Sequence, residues 1–192
     1  MIRGISQTVL DKYGAYTDSH KLYMPYIGEG FTQERNLSDD TKVWRHKADR
    51  ILQLYGSSIF DRGGEELIIV EGEIEVLVVA EAFLRTTNMI PPIVGTTCHS
   101  NFPIMMLEES LDYIKSFDKI ITAFDNDFTG YRQTNWILET VGDKSFTFDI
   151  KNCNDNYELI EEIGYDRYVH EFRNRTKRTG QKQKISGWRI SH

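Results

Sequence analysis

The chain has 192 residues, a formal net charge of −6, and 40% hydrophobic, 12% aromatic and 27% charged residues, the make-up of an ordinary globular protein with enough length for a real core. Its charge is split: residues 167–192 hold eight Lys or Arg against one acid, Glu171, for a net +7, while the other 166 residues carry −13. That split excludes a uniformly basic nucleic-acid coat and predicts an acidic body with a basic, polyanion-seeking tail.

Three further classes fall away. No apolar run approaches the ~18–20 residues of a membrane span. The opening MIRGISQTVLDKYG has no apolar core of a secretory signal. Cys98 and Cys153 are the only cysteines and form no C-x-x-C, which excludes a disulfide framework and a zinc ribbon. Two reduced thiols in a cytoplasmic protein, without membrane contact, are expected.

In chain order, Ile5, Val9 and Leu10 predict a short helix ended by Gly14. Lys21–Ile27 and Phe31–Leu37 read as strands joined by a hairpin turn at Gly28-Glu29-Gly30. Residues 38–47 are charged and read as a loop, and Ile51–Tyr55 is a short apolar segment before the Gly63-Gly64 break. Leu67–Val70 is the continuous apolar run of a buried parallel strand. Ile74–Leu84 predicts a well-buried helix, Ile93-Val94 a short strand, and Pro103 the first turn of a helix running to Ile114. Lys119–Phe124 reads as strand, Thr129–Val141 as helix and Ser145–Ile150 as strand. Asn154–Ile163 reads as a last helix with Asn154 as its N-cap. After Tyr168 the periodicity fades into a weakly ordered tail. The expected class is α/β, a parallel sheet flanked by helices with a smaller α+β subdomain before it. Expected boundaries are 1–64, 65–166 and a basic tail at 167–192.

In an open parallel sheet, ligands bind at the carboxyl ends of the strands, so acids there are informative. Glu71-Gly72 follows Leu67–Val70 directly, and Asp125-Asn126-Asp127 follows Lys119–Phe124, with Gly130 beyond. Glu75 lies four residues after Glu71. Carboxylates held together repel, and a hard divalent cation offsets that repulsion. Turn formation and helix capping are the ordinary reasons for Asp and Gly after a strand. Two such clusters on one sheet edge favour a metal site.

Val70-Glu71-Gly72-Glu73-Ile74-Glu75 and Ala123-Phe124-Asp125-Asn126-Asp127-Phe128-Thr129-Gly130 resemble the two hallmark motifs of the Toprim domain. With Val94-Gly95-Thr96-Thr97 between them, they look like the primase core of phage primase-helicases. Lys151-Asn152-Cys153-Asn154-Asp155 resembles the family's third motif with its first Asp replaced by Asn152. Arg3-Gly4-Ile5, the hairpin through Gln33-Glu34-Arg35, and Leu54-Tyr55-Gly56 resemble the primase half that precedes Toprim.

The resemblance implies a Toprim-type sheet and two-metal phosphoryl chemistry with Mg²⁺ or Mn²⁺. It assigns Glu71, Asp125 and Asp127 to catalysis, and Glu71, Glu75, Asp125, Asp127 and Asp155 to metal. Arg35, Lys42, Arg45, Lys47 and Lys151 would contact nucleotide or DNA. Gly95 and Thr96 would offer backbone amides to phosphate, with turn chemistry as the ordinary alternative. Trp44 is a candidate for base stacking or core packing, and His99 beside Cys98 reads as a surface loop. The implied activity is synthesis of short RNA primers from ribonucleoside triphosphates on single-stranded DNA. The chain carries neither a zinc-binding module nor a helicase loop, so a replicative helicase or a separate zinc module is an expected partner. Two alternatives remain open: a Toprim-type nuclease, and a catalytically weakened module that binds nucleic acid and replication partners.

Overall fold

A computed structural model of the chain describes residues 4–28, 30–38, 41–46, 53–97, 103–150 and 152–178, with only the backbone described at 42–46. Helix α1 (Gln7–Tyr13) ends on Gly14 in the left-handed region (φ 64°), as expected. Strands β1 (Tyr16–Thr17), β2 (Lys21–Tyr26), β3 (Phe31–Asn36) and β4 (Lys42–His46) form an antiparallel sheet in that order. β2 and β3 are the expected hairpin. Along β2, buried Leu22, Met24 and Tyr26 alternate with half-buried Lys21, Tyr23 and Pro25, so one face of the sheet is packed.

β4 corrects the expected loop over 38–47. Its composition is charged, but the outer edge of β3 presents a row of N–H and C=O groups that need partners, and Lys42–His46 pairs with it. Val43 and Trp44 favour a strand, and ladder formation outweighs the weaker propensity of Lys42.

The second half alternates as expected: β5 (Gly64–Glu71), α2 (Glu73–Thr87), β6 (Ile93–Thr96), α3 (Pro103–Glu109), α4 (Leu111–Lys115), β7 (Phe117–Ala123), α5 (Phe128–Val141), β8 (Ser145–Thr147), α6 (Asn156–Ile163), α7 (Tyr165–Arg175) and β9 (Lys177–Arg178). The sheet order is β6-β5-β7-β8-β9, parallel except for β9. From β5 the chain crosses to β6 on one side. It then returns across β5 to β7 and β8 on the other. Right-handed crossovers moving in opposite directions put their helices on opposite faces. α2 accordingly packs with α1, α6 and α7, while α3 packs with α5. α2 is buried without interruption from Glu73 to Phe83, which explains why it is apolar on every side.

Three boundaries differ from the sequence reading. The helix opened by Pro103 bends at Ser110 (φ −92°, ψ 8°) into α3 and α4, while Ser110 N–H to Met106 O and Ile114 N–H to Ser110 O keep the turns linked. β8 stops at Thr147. Asp155, not Asn154, caps α6: its side chain accepts the Glu158 N–H at 2.7 Å.

The largest correction concerns the tail. α7 runs through the boundary expected at 166/167 and buries Tyr168, Val169 and Phe172. Phe172 packs on Phe83 and Phe148 at 5.4 and 4.8 Å between ring centres. Arg173 pairs with Glu66, Arg175 with Glu171 at 2.8 Å, and Arg178 with Asp143 at 3.1 Å. β9 then extends the sheet beside β8. Three of the five described Lys and Arg residues after 166 are therefore paired with acids. Residues 179–192 lie outside the described residues.

The amino-terminal half shares one core with the sheet. Tyr55 and Gly95 exchange both backbone hydrogen bonds, at 2.8 and 3.0 Å, and the Tyr13 hydroxyl donates to Ile93 O at 3.0 Å. Ser6 donates to the buried Glu81 carboxylate through both its N–H and its hydroxyl, at 2.8 and 2.6 Å.

If α7 is structural, Phe172→Ala should destabilise the protein by about 3–5 kcal/mol, the usual cost of emptying a buried aromatic site. Urea unfolding of the full chain measures this. A change under about 1 kcal/mol would return this segment to the status of a loose tail.

Candidate functional site

The sheet reverses direction at β5: the chain leaves β5 toward β6 and leaves β7 toward β8. The carboxyl ends of β5 and β7 therefore flank a topological switch point, where a crevice opens. Val70 pairs with Ala123 across these strands. Glu71 ends β5, and Asp125 follows Ala123 by two residues, so the register alone brings the first two acids to one place.

Close packing then shapes the Asp125 loop. A Cβ on Gly130 would lie 2.1 Å from Asp125 O, so only glycine allows the first turn of α5 to rest on that carbonyl. Asp127 is the N-cap of α5, its Oδ1 accepting the Gly130 N–H at 2.8 Å. The Asn126 N–H donates to Asn154 O at 3.0 Å, which ties this loop to the segment carrying Asp155. Glu75, in the first turn of α2, accepts the Asn156 N–H at 2.9 Å through Oε2.

Asp125 is the electrostatic centre. Its Oδ1 is sealed from solvent and has no hydrogen-bond partner. Burial first, then the charges of Glu71, Glu75, Asp155 and Asp127, push its carboxyl up to about 8. The other four expected metal residues are thus all close enough to act on Asp125. They do not form a ready cage: among the described residues, no three His, Cys, Asp or Glu side chains group as a metal-binding set. That arrangement still suits a magnesium-type ion, which takes one or two carboxylates and completes its shell with water and phosphate. The unpartnered Asp125 Oδ1 is the donor that fits such an ion best.

The basic residues fall in two groups. Arg35, buried on β3, lies opposite Leu22 on one side and Lys42 on the other. It belongs to the β3 face that carries Phe31 and Gln33, and Tyr26 of that packed layer donates its hydroxyl to Glu73 Oε1 at 2.5 Å. Arg35 and Lys42 are therefore cross-strand neighbours. Arg45 lies opposite Thr32, out of phase with them in the ladder. The side chains of Lys42, Trp44 and Arg45, and all of Arg3, Lys47, Cys98, His99 and Lys151, lie outside the described residues.

Gly95 and Thr96 depart from the phosphate-cradle expectation. The Gly95 N–H already donates to Tyr55 O at 3.0 Å. A Cβ at Gly95 would meet Val76 Cγ2 at 2.6 Å and Gly72 O at 2.9 Å, so glycine is there for close helix-strand packing. Thr96 is fully buried and spends its hydroxyl on Gln133. Asn152 is exposed and lines a cavity of about 160 Å³ with Cys153, Glu162, Arg167 and Arg175. None of the five acids lines that cavity. Cys153 is a buried free thiol, raised to about 11 by burial and by its bond to Glu162, which keeps it inert.

Three residues of the site escape the sequence reading. Glu73 is a fully buried acid held by Tyr26. Asn156, also fully buried, donates from Nδ2 to Ala123 O and accepts from the Tyr168 hydroxyl, both at 2.8 Å. Gln133 donates from Nε2 to Glu71 Oε2 at 3.1 Å. The available signal for Gln133 is its place between Gly130 and Ile137 on the packed stripe of α5.

No family model and no curated protein matches the sequence. Solved structures do. The primase fragment of the bacteriophage T7 primase-helicase protein aligns with a TM-score of 0.72 and 21% identity, over 88% of this chain and 71% of that one. The primase domains in the bacteriophage T7 assembly with lagging-strand DNA polymerase, an RNA/DNA hybrid and dTTP align with a TM-score of 0.68 and 21% identity, over 88% and 86%. The zinc-binding and RNA polymerase domains of Aquifex aeolicus primase align with a TM-score of 0.61 and 12% identity, over 91% of this chain and 54% of that one. The chain thus has the fold of a phage-type primase core. Among the described residues, no helix is long and apolar enough to cross a membrane.

Asp125 gives this site a pH signature. A carboxyl raised on folding binds its proton more tightly in the folded state, so its contribution to stability is full below the ordinary carboxylate range and is lost as pH rises through about 8. Asp125→Asn should therefore raise the melting temperature in EDTA at about pH 9, by about 2–4 °C per kcal/mol of repulsion removed, and change it little at about pH 4. Calorimetry at the two pH values checks this. An equal effect at both would mean that Asp125 is not raised.

Proposed function

We propose that the chain is a metal-dependent primase core that joins ribonucleotides into short RNA primers on a single-stranded DNA template. The observation that carries this reading is the Asp125 carboxylate. It has a buried, unpartnered oxygen among four other acids, at the switch point of a primase-core fold.

Asp125 and Asp127 would hold Mg²⁺ or Mn²⁺, with Glu71, Glu75 and Asp155 adding negative potential around it. The ion, when bound, would neutralise phosphate oxygens and favour loss of the attacking hydroxyl's proton. Asp127 has one oxygen on the α5 cap and a second to give. Arg35 and Lys42 would take the triphosphate, and Arg45, Lys47 and Lys151 the template backbone. Phe128 and Tyr131 expose 64% and 43% of their surface just after Asp127, with the Arg132 guanidinium 5.9 Å from the Phe128 ring centre. Such rings suit stacking on bases. A replicative helicase or a separate zinc-binding module would supply template selection.

Primer synthesis on single-stranded DNA, with ribonucleotides and Mn²⁺, tests the reading. Asp125→Ala should lower product by about 100-fold or more, the scale of removing one preorganised electrostatic partner. Asp127→Asn keeps an N-cap acceptor, so it should fold within about 0.5 kcal/mol of wild type while losing most of its product. Product unchanged by both substitutions would remove the site. Cleavage of the DNA without ribonucleotides would favour a nuclease, and tight DNA binding with neither reaction a binding module.

A further inference from the structure

Glu71 is held by a buried polar chain that crosses three elements. Thr96, its direct neighbour in the β5–β6 register, donates its hydroxyl to Gln133 Oε1 at 2.8 Å. Gln133, on α5, donates from Nε2 to Glu71 Oε2 at 3.1 Å. Thr96 and Gln133 are fully buried, and Glu71 is 9% exposed.

The direction of this chain follows from chemistry. An ionised carboxylate only accepts, so the NH₂ end of the amide must face Glu71. Its oxygen then faces Thr96, whose hydroxyl must donate. Glu71 thus sets the amide, and Thr96 satisfies the amide oxygen in that orientation; without the hydroxyl that buried oxygen has lost its partner.

We infer that Gln133 is a positioning residue for the metal-dependent site: it commits Glu71 Oε2 and so fixes how Glu71 faces Asp125, with Thr96 holding the amide oxygen. This rests on the reading of the site proposed above. The bland role for a buried Gln, satisfying its own polarity inside a helix-sheet interface, would affect folding alone. An outer partner of a metal site affects metal affinity by about 10–100-fold.

The test uses the full chain and Mn²⁺ followed by electron paramagnetic resonance, beside thermal unfolding in EDTA. Gln133→Leu keeps the bulk without the donor, Thr96→Val keeps the shape without the hydroxyl, and Thr96→Ser keeps the hydroxyl. Gln133→Leu and Thr96→Val should each weaken Mn²⁺ binding about 10-fold or more, and Thr96→Ser should hold it within about twofold. Primer synthesis by the first two should need correspondingly more Mn²⁺ for half-maximal rate. Lowered melting temperatures with unchanged Mn²⁺ affinity would overturn the positioning role and leave the primase reading intact. Absence of Mn²⁺ binding by the wild type would defeat that reading and this inference together. Should Gln133→Leu fail to fold, Thr96→Val decides alone, since it removes one oxygen from the same chain.

Discussion

Asp125 sits where the surrounding protein does not offset a negative charge, and its carboxyl is held up to about 8 as a result. Its inner oxygen has no donor, and four carboxylates act on it through a partly dry crevice. Burying a carboxylate without partners is expensive, and each added acid raises the expense. The surrounding architecture holds that arrangement in place. The β5–β7 register sets Glu71 beside the Asp125 loop. Gly130 lets α5 close over the Asp125 carbonyl, and Asn156 joins α6 to the end of β7. Tyr168, buried on α7, fixes Asn156 in turn.

The antiparallel sheet is mounted on the same acidic edge. Tyr26 reaches Glu73, and Tyr55 locks onto Gly95 in the neighbouring strand. Tyr13, Tyr26 and Tyr55 pack ring against ring between the two halves, with Tyr13–Tyr55 and Tyr26–Tyr55 centres 5.9 and 5.3 Å apart. This contact is apolar and fully buried, so it resists relative motion of the halves. It delivers the Arg35–Lys42 pair and the acid cluster as parts of one unit.

The acids were legible because strand ends announce themselves. An apolar run followed by Glu71-Gly72, and another followed by Asp125-Asn126-Asp127, place carboxylates on one edge before any coordinates exist. The caps were half legible: the turn chemistry of Asp127 and Asp155 was foreseeable, but the choice between Asn154 and Asp155 depends on backbone angles at one residue. Gln133 and Asn156 were hidden because a polar residue on a helix reads as surface unless its partners are known, and those partners lie 62 and 33 residues away. α7 was hidden differently. Tyr165, Tyr168, Val169 and Phe172 follow helical spacing, but the arginines and acids around them outweigh four apolar residues in any average. β4 was weakly legible, since Val43-Trp44 is a short strand signal among charges and the pairing that settles it is with β3.

Two roles meet in the same carboxylates. Asp127 and Asp155 cap helices, and Glu71 and Glu75 accept protein hydrogen bonds, so each has a structural partner that persists without metal. Asp125 has none through its buried oxygen, and under the proposed reading it is the residue whose state would change on binding a cation. The most direct measurement is a carbon-13 NMR titration of the Asp125 side-chain carboxyl, in EDTA and in excess Mg²⁺. The account predicts titration near 8 in EDTA and a fall into or below the ordinary carboxylate range with Mg²⁺. An ordinary value in EDTA, or a raised value that Mg²⁺ leaves unmoved, would contradict it.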